Sequence, residues 1–158
     1  MQIGHFYFIK DQYFKDYPNP NFMSDHAEME RQPHHRPCLC AFTENSHVFW
    51  LVPISSKVAK FEHICNHKIA KCGKCDTIDF CEILGHRKAV LIQNMFPVTA
   101  DYILNEYQAD SMPVQINHKD QKRIIRKAKH VLHLQRNGVN LIFGGVLELE
   151  SRMLTSCR

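Results

Sequence analysis

The stretch that most limits how this chain can fold is an apolar run closed by a proline, two serines and a lysine: Phe49-Trp50-Leu51-Val52-Pro53-Ile54-Ser55-Ser56-Lys57. Phe49 to Val52 has the composition of a buried strand. Proline cannot donate to a ladder, so the strand is expected to end at Pro53. Ser55 and Ser56 are helix-starting residues, and Lys57-Val58-Ala59-Lys60-Phe61 can form a first turn. A helix start presents unpaired N–H groups and the positive end of its dipole. Two hydroxyls and an ammonium placed there suit a phosphate. The plain alternative is an ordinary capped helix beside a solvated lysine.

The preceding residues make this stretch one arm of a hairpin. Residues 38–42 read as a strand, Glu44-Asn45-Ser46 as a turn, and 47–52 as the returning strand. Arg36 precedes the outgoing strand and Lys57 follows the returning one, so both reach the same end of the sheet. Upstream, residues 3–9 read as a first strand. The segment with Tyr13, Phe14 and Tyr17 reads as a helical turn before Pro18 and Pro20, and residues 19–35 as a long surface loop.

Downstream, residues 57–70 read as a helix broken at Lys71-Cys72-Gly73-Lys74-Cys75, and 77–83 as a strand. Gly85-His86-Arg87-Lys88 reads as a turn and 89–92 as a buried strand. The strand ends in two amides, Gln93 and Asn94, which suit either a satisfied structural network or a ligand contact. Thr99 is expected to cap a short helix reaching Tyr107, and residues 109–114 to form a loop.

Asn117-His118-Lys119-Asp120 resembles a capping box and opens a helix expected to reach Arg136, with Gly138 ending it. At 100° per residue, Ile124, Ile125, Ala128, Val131, Leu132 and Gln135 fall on one face. Lys122, Arg123, Arg126, Lys127, Lys129, His130, His133 and Arg136 fall on the other. That second face has no acid after Asp120. Like charges at i and i+4 destabilise a lone helix, so the pattern points to a polyanion. Residues 146–153 read as a closing helix.

The length of 158 residues fits one domain with a real core, and 44% hydrophobic with 23% charged residues fits a soluble globular chain. Net charge is only +4, so an anionic partner is suggested by where the charge sits. No apolar run approaches a membrane span and no signal peptide is expected. Seven cysteines without an export signal suggest reduced thiols in the cytoplasm. Cys72-x-x-Cys75 is a fair zinc pair, but His63, Cys65 and His67 alternate within the expected helix and do not share a face. No metal and no cofactor is therefore expected. Gly-x-Ser-x-Gly, Gly-Lys-Ser and His-Glu-x-x-His motifs are absent, and paired acids for a Mg²⁺ nuclease do not stand out.

RNA can be cut without a metal: its 2′-OH attacks the adjacent phosphate, leaving a 2′,3′-cyclic phosphate and a 5′-OH. The protein must align the hydroxyl, stabilise charge on the phosphate oxygens and assist proton transfer. Tyr13, Arg36, Ser55, Ser56, Lys57 and a histidine of the basic helix supply those groups. Taken in order, Phe6-Tyr7, Tyr13, Arg36-Pro37, Pro53-Ile54-Ser55-Ser56-Lys57, Leu91-Ile92-Gln93-Asn94-Met95-Phe96-Pro97 and the late basic helix resemble a known family. It is that of the toxins of type III toxin–antitoxin systems, the ToxN/AbiQ group, with the closest likeness to its CptN branch.

The resemblance implies an α+β fold, a compact, strongly curved antiparallel sheet flanked by helices as in the MazF and CcdB toxins. It implies a cytoplasmic, metal-independent, sequence-specific endoribonuclease of phage defence, active on cellular RNA. The partner it implies is a structured RNA antitoxin, made as tandem repeats that the toxin cuts into pseudoknotted units and held with it in a closed protein–RNA assembly. By position, Tyr13, Arg36, Ser55, Ser56 and Lys57 match its active-site segments. ToxN itself has a lysine where Arg36 sits, and an always-protonated Arg is a poor general base. The lysine after the serines is one residue closer here, so its role can pass to Lys60 or to the helix. His130 falls where ToxN has an aromatic, and suits stacking or proton transfer. Lys60, Gln93, Asn94, Lys122, Arg123, Arg126, Lys127, Lys129 and His133 are the expected RNA contacts. A non-catalytic RNA-binding protein with the same groove, or a small zinc-containing interaction domain, are the rival readings.

Overall fold

The computed structural model describes residues 1–19 and 36–156. Apart from Asn19, the expected loop at 19–35 lies outside the described residues. The order of elements is β1 (Phe6–Ile9), α1 (Asp11–Asp16), β2 (Cys38–Thr43), β3 (Val48–Ser55), α2 (Val58–Cys72), β4 (Asp79–Ile83), β5 (His86–Val90), β6 (Phe96–Thr99) and β7 (Ile103–Glu106). A small hairpin of β8 (Gln108–Ala109) and β9 (Met112–Pro113) follows, then α3 (His118–Arg136) and α4 (Val146–Ser156). Every strand pairing is antiparallel, in the order β4-β5-β3-β2-β1-β7. The architecture is thus the expected α+β antiparallel sheet with helices around it. No described helix is long and apolar enough to cross a membrane.

β3 organises the sheet. One of its edges is taken by β2, from Phe49 opposite Thr43 to Pro53 opposite Cys38. The other edge is shared: β6 takes Val48 to Leu51, and β5 takes Ile54 and Ser55. Pro53 therefore does not end the strand. An extended residue turns its N–H and C=O to the same edge, and the Pro53 carbonyl accepts from Leu91 N–H at 2.9 Å. The missing proline donor thus lies where β6 has stopped and β5 begins.

The core follows from this sheet. Phe6, Leu39, Trp50, Leu51 and Val52 pack with Ile124, Ala128, Val131 and Leu132 of α3 and with Val146, Leu149 and Met153 of α4. The α3 positions are spaced i, i+4, i+7, i+8, the buried stripe of an amphipathic helix. Asn117 caps α3 as expected, its side chain accepting from Asp120 N–H at 2.9 Å. Under α2 lies a smaller cluster of Phe61, Ile78, Ala89 and Leu91.

Several local expectations are corrected. Residues 3–5 precede β1, which begins at Phe6. The turn is at Leu84-Gly85, so His86 to Lys88 are strand. Gln93 and Asn94 sit in a 3-10 turn, and residues 100–107 give a second such turn and β7 in place of a helix. Thr99 makes no capping bond. Residues 109–114 hold the small β8–β9 hairpin.

The basic face of α3 is less one-sided than its sequence. Arg123 donates to Asp79 at 3.0–3.2 Å, to the Phe80 carbonyl at 2.8 Å and to Asp120. Lys127 pairs with Asp79 at 3.1 Å, and Arg136 with Glu44 and Glu150. Apart from Asp120 in its own first turn, the acids come from other elements, which helical periodicity alone does not reveal. Asp79 is the buried centre. Burial would raise its pKa, but hydrogen bonds from Arg123, Phe80 N–H and Lys127 outweigh that and hold it below the usual carboxylate range. A depressed folded pKa gives stabilisation that is complete above the unfolded value of about 3.9 and is lost as pH falls through the folded one. Asp79→Asn should therefore cost about 1.5–3 kcal/mol at neutral pH in urea unfolding. Its deficit against the parent should narrow as pH drops below about 4.

A candidate anion site at the end of β3

Beyond the point where β3 passes from β6 to β5, the chain opens a cavity of about 340 Å³. Arg36, Ser55, Ser56, Lys57, His86 and Lys88 supply its polar lining. Pro37, Ile54, Ile83, Leu84 and Tyr107 supply the rest. Three basic side chains and two serine hydroxyls face one space, and no described carboxylate lines it.

Each group arrives for a local reason. Arg36 stands just before β2, and Ser55 ends β3, so the hairpin joins them as its sequence implied. Alternation along β5 sends His86 and Lys88 to one face. Arg87, on the other, pairs with Glu62 of α2 and lies 4.8 Å from the centre of the Phe80 ring. That contact ties α2 to the β4–β5 hairpin. Lys88 Nζ donates to Ser56 Oγ at 2.8 Å, which leaves the serine hydrogen free to point at a ligand.

The helix start differs from the expected one. Lys57 occupies the N-cap position, α2 begins at Val58, and no side chain caps it. Ser55 is buried, and its Oγ accepts from Lys57 N–H at 3.2 Å, shaping the turn before the helix. The first turn of α2 contains no acid, so nothing of its own offsets the positive end of the dipole. Ser56 and Lys57 are exposed.

Other expected residues lie elsewhere. Tyr13 is fully buried, donates to the Pro97 carbonyl at 2.9 Å and packs against Tyr17, Phe96 and Tyr102. Burial pushes its hydroxyl pKa well up. It is a core residue and does not line the cavity, so the structure does not bring it together with Arg36, Ser56 and Lys57. Gln93 is buried, accepts from Lys68 Nζ at 2.8 Å and receives Phe143 N–H on its carbonyl at 2.8 Å. Of the two readings for this amide, the geometry is that of the structural network, and Gln93 is not an exposed RNA contact. Asn94, Lys60, His130 and His133 do not line the cavity. Lys122, Arg126, Lys129, His130 and His133 are exposed along α3, whereas Arg123 and Lys127 are engaged by Asp79.

His86, Lys88, Leu84 and Tyr107 were not expected here. The signal for the first three was two strand-like runs separated by a two-residue X-Gly pair, Leu84-Gly85. No sequence signal marked Tyr107. Among the described residues, no three His, Cys, Asp or Glu side chains converge as a metal site. Cys72 is exposed, and it is Cys65 that approaches Cys75; burial first, then that contact, pushes Cys65 up to about 11. Among the described residues no disulfide is formed.

The fold is similar to that of AbiQ, described as a lactococcal anti-phage endoribonuclease belonging to the type III toxin–antitoxin system. The match covers 98% of this chain and 98% of that one, with a TM-score of 0.62 and 13% identity. At that identity the likeness is one of fold. No family model and no curated protein sequence matches the chain. If the cavity is an anion site, Lys57→Ala and Lys88→Ala should each weaken inorganic phosphate binding in an NMR titration. Tyr13→Phe should leave that binding unchanged and lower stability by about 1–3 kcal/mol, the cost of an unpaired buried carbonyl.

Proposed function

We propose that this chain is an endoribonuclease toxin of a type III toxin–antitoxin system that cuts RNA without a metal ion. The observation that carries the reading is the convergence of Arg36, Ser56, Lys57, His86 and Lys88 on one cavity, in a fold shared with an endoribonuclease. A phosphodiester between single-stranded nucleotides fits this lining. Arg36 and Lys57 face the non-bridging oxygens, where charge builds as the 2′-oxygen adds to phosphorus. Ser56 and the first amides of α2 add neutral donors. As the O2′–P bond forms and the P–O5′ bond breaks, the 2′-hydroxyl loses a proton and the 5′-oxygen gains one. Imidazole is suited to such transfer, and His86 is the one histidine among the described lining residues. The products are a 2′,3′-cyclic phosphate and a 5′-hydroxyl.

In this reading the chain is a single cytoplasmic domain of the CptN branch, with a strongly curved sheet like those of the MazF and CcdB toxins. Its inhibitor is a structured, pseudoknotted RNA that it cuts from its own repeat precursor and that closes with it into a protein–RNA assembly. Its targets are cellular RNAs cut at particular sequences. The exposed residues of α3 offer that RNA a second surface.

The direct test incubates purified protein with RNA in EDTA. Cleavage leaving a 2′,3′-cyclic end is expected; binding without cleavage would leave an RNA-binding protein in its place. Arg36→Ala and Lys57→Ala should each lose roughly 10²–10³ in rate, or about 2.7–4 kcal/mol, while remaining folded by circular dichroism. Neither variant should arrest growth when expressed without antitoxin. Replacing Lys122, Arg126 and Lys129 with Gln should weaken RNA binding and reduce the slope of log affinity against log salt by about 0.7 per lost contact. An unchanged slope would remove α3 from the RNA surface.

A further inference from the structure

The tip of the β4–β5 hairpin breaks two rules at one residue. Ile83 pairs with His86, so Leu84 and Gly85 form a two-residue turn, and both have positive φ, +51° and +75°. Such turns take Asn, Asp or Gly at their first position, because at positive φ a Cβ crowds the following carbonyl oxygen, which Gly avoids and the short polar side chains of Asn and Asp offset by local hydrogen bonds. Leucine is the less suitable choice, and 53% of its surface is exposed. Neither backbone ease nor core burial accounts for Leu84. Retained strain beside a site is a pointer to function, and Leu84 lines the cavity that holds Arg36, Lys57 and Lys88.

The same cavity has a second apolar component. The Tyr107 ring is set edge-on against Phe8, with centroids 5.5 Å apart at 77°, which fixes its orientation. A ligand that satisfies the whole lining needs an anion for the cations and a flat apolar body for Leu84, Ile83 and Tyr107. A nucleotide has both parts, joined at the distance of one sugar.

We propose that Leu84 and Tyr107 form the wall against which the nucleobase next to the bound phosphate is seated, so that the hairpin tip sets which base is accepted there. The proposal rests on the reading of the cavity as an RNA site. Base stacking on protein side chains is sequence-tolerant in itself, and selectivity comes from the shape of the wall.

Calorimetric titration of the parent, Leu84→Asn and Leu84→Met with inorganic phosphate and with the four nucleoside 3′-monophosphates tests this. The parent should bind at least one nucleotide about tenfold tighter than phosphate, within the range stacking provides. In Leu84→Asn that ratio should fall toward one, with a melting temperature equal to or above the parent's, since Asn tolerates positive φ. Leu84→Met keeps an apolar wall and should keep most of the ratio. If the parent binds phosphate but no nucleotide better, the wall is wrong and the anion site stands. If neither phosphate nor nucleotide binds, the RNA site falls and the wall with it. An undiminished ratio in Leu84→Asn, or a clearly lower melting temperature, would also overturn the proposal.

Discussion

The missing amide hydrogen of Pro53 is the constraint on which the sheet and its site both depend. A proline inside a strand leaves a gap in one ladder, and the chain tolerates it only where two partners meet. Here β6 has ended at the level of Leu51 and β5 starts at Ile54, with the Pro53 carbonyl held by Leu91 N–H. The strand therefore runs on for two residues beyond the proline. Those residues lead straight into Ser56, Lys57 and the start of α2, with Lys88 of β5 alongside.

Charge is divided in the same economical way. Some cations are neutralised in place: Arg123 and Lys127 by Asp79, and Arg136 by Glu44 and Glu150, where Glu150 also accepts from Trp50 Nε1 at 3.3 Å. These bind α3 and α4 to the sheet. Arg36, Lys57 and Lys88 instead surround a space with no acid among its described lining residues. Overall charge does not separate the two sets; their places in the fold do.

Much of this was legible in the sequence. The Arg36–Lys57 hairpin followed from alternating apolar runs and a turn signal, and α3 from an Asn cap and a 3.6-residue stripe. What failed did so for identifiable reasons. A proline ends a strand in a single continuous ladder, but at Pro53 the ladder changes partner. The strand at His86 to Lys88 was hidden because leucine is a poor turn residue. Tyr13 has a hydroxyl like any catalytic tyrosine, and only tertiary packing aims it at the Pro97 carbonyl. Apart from Asp120, the acids that engage α3 come from other elements, beyond the reach of periodicity.

The bond between Trp50 and Glu150 joins residues 100 positions apart. During synthesis the hairpin bearing Ser55 to Lys57 emerges first, with the apolar side of its sheet uncovered. At translation rates of about 5–20 residues per second, the helix carrying Glu150 follows roughly 5–20 s later. Packing that depends on such distant partners also closes slowly. On the ribonuclease reading proposed above, that delay keeps the nascent site short of its working shape while the chain is still tethered beside ribosomal and messenger RNA.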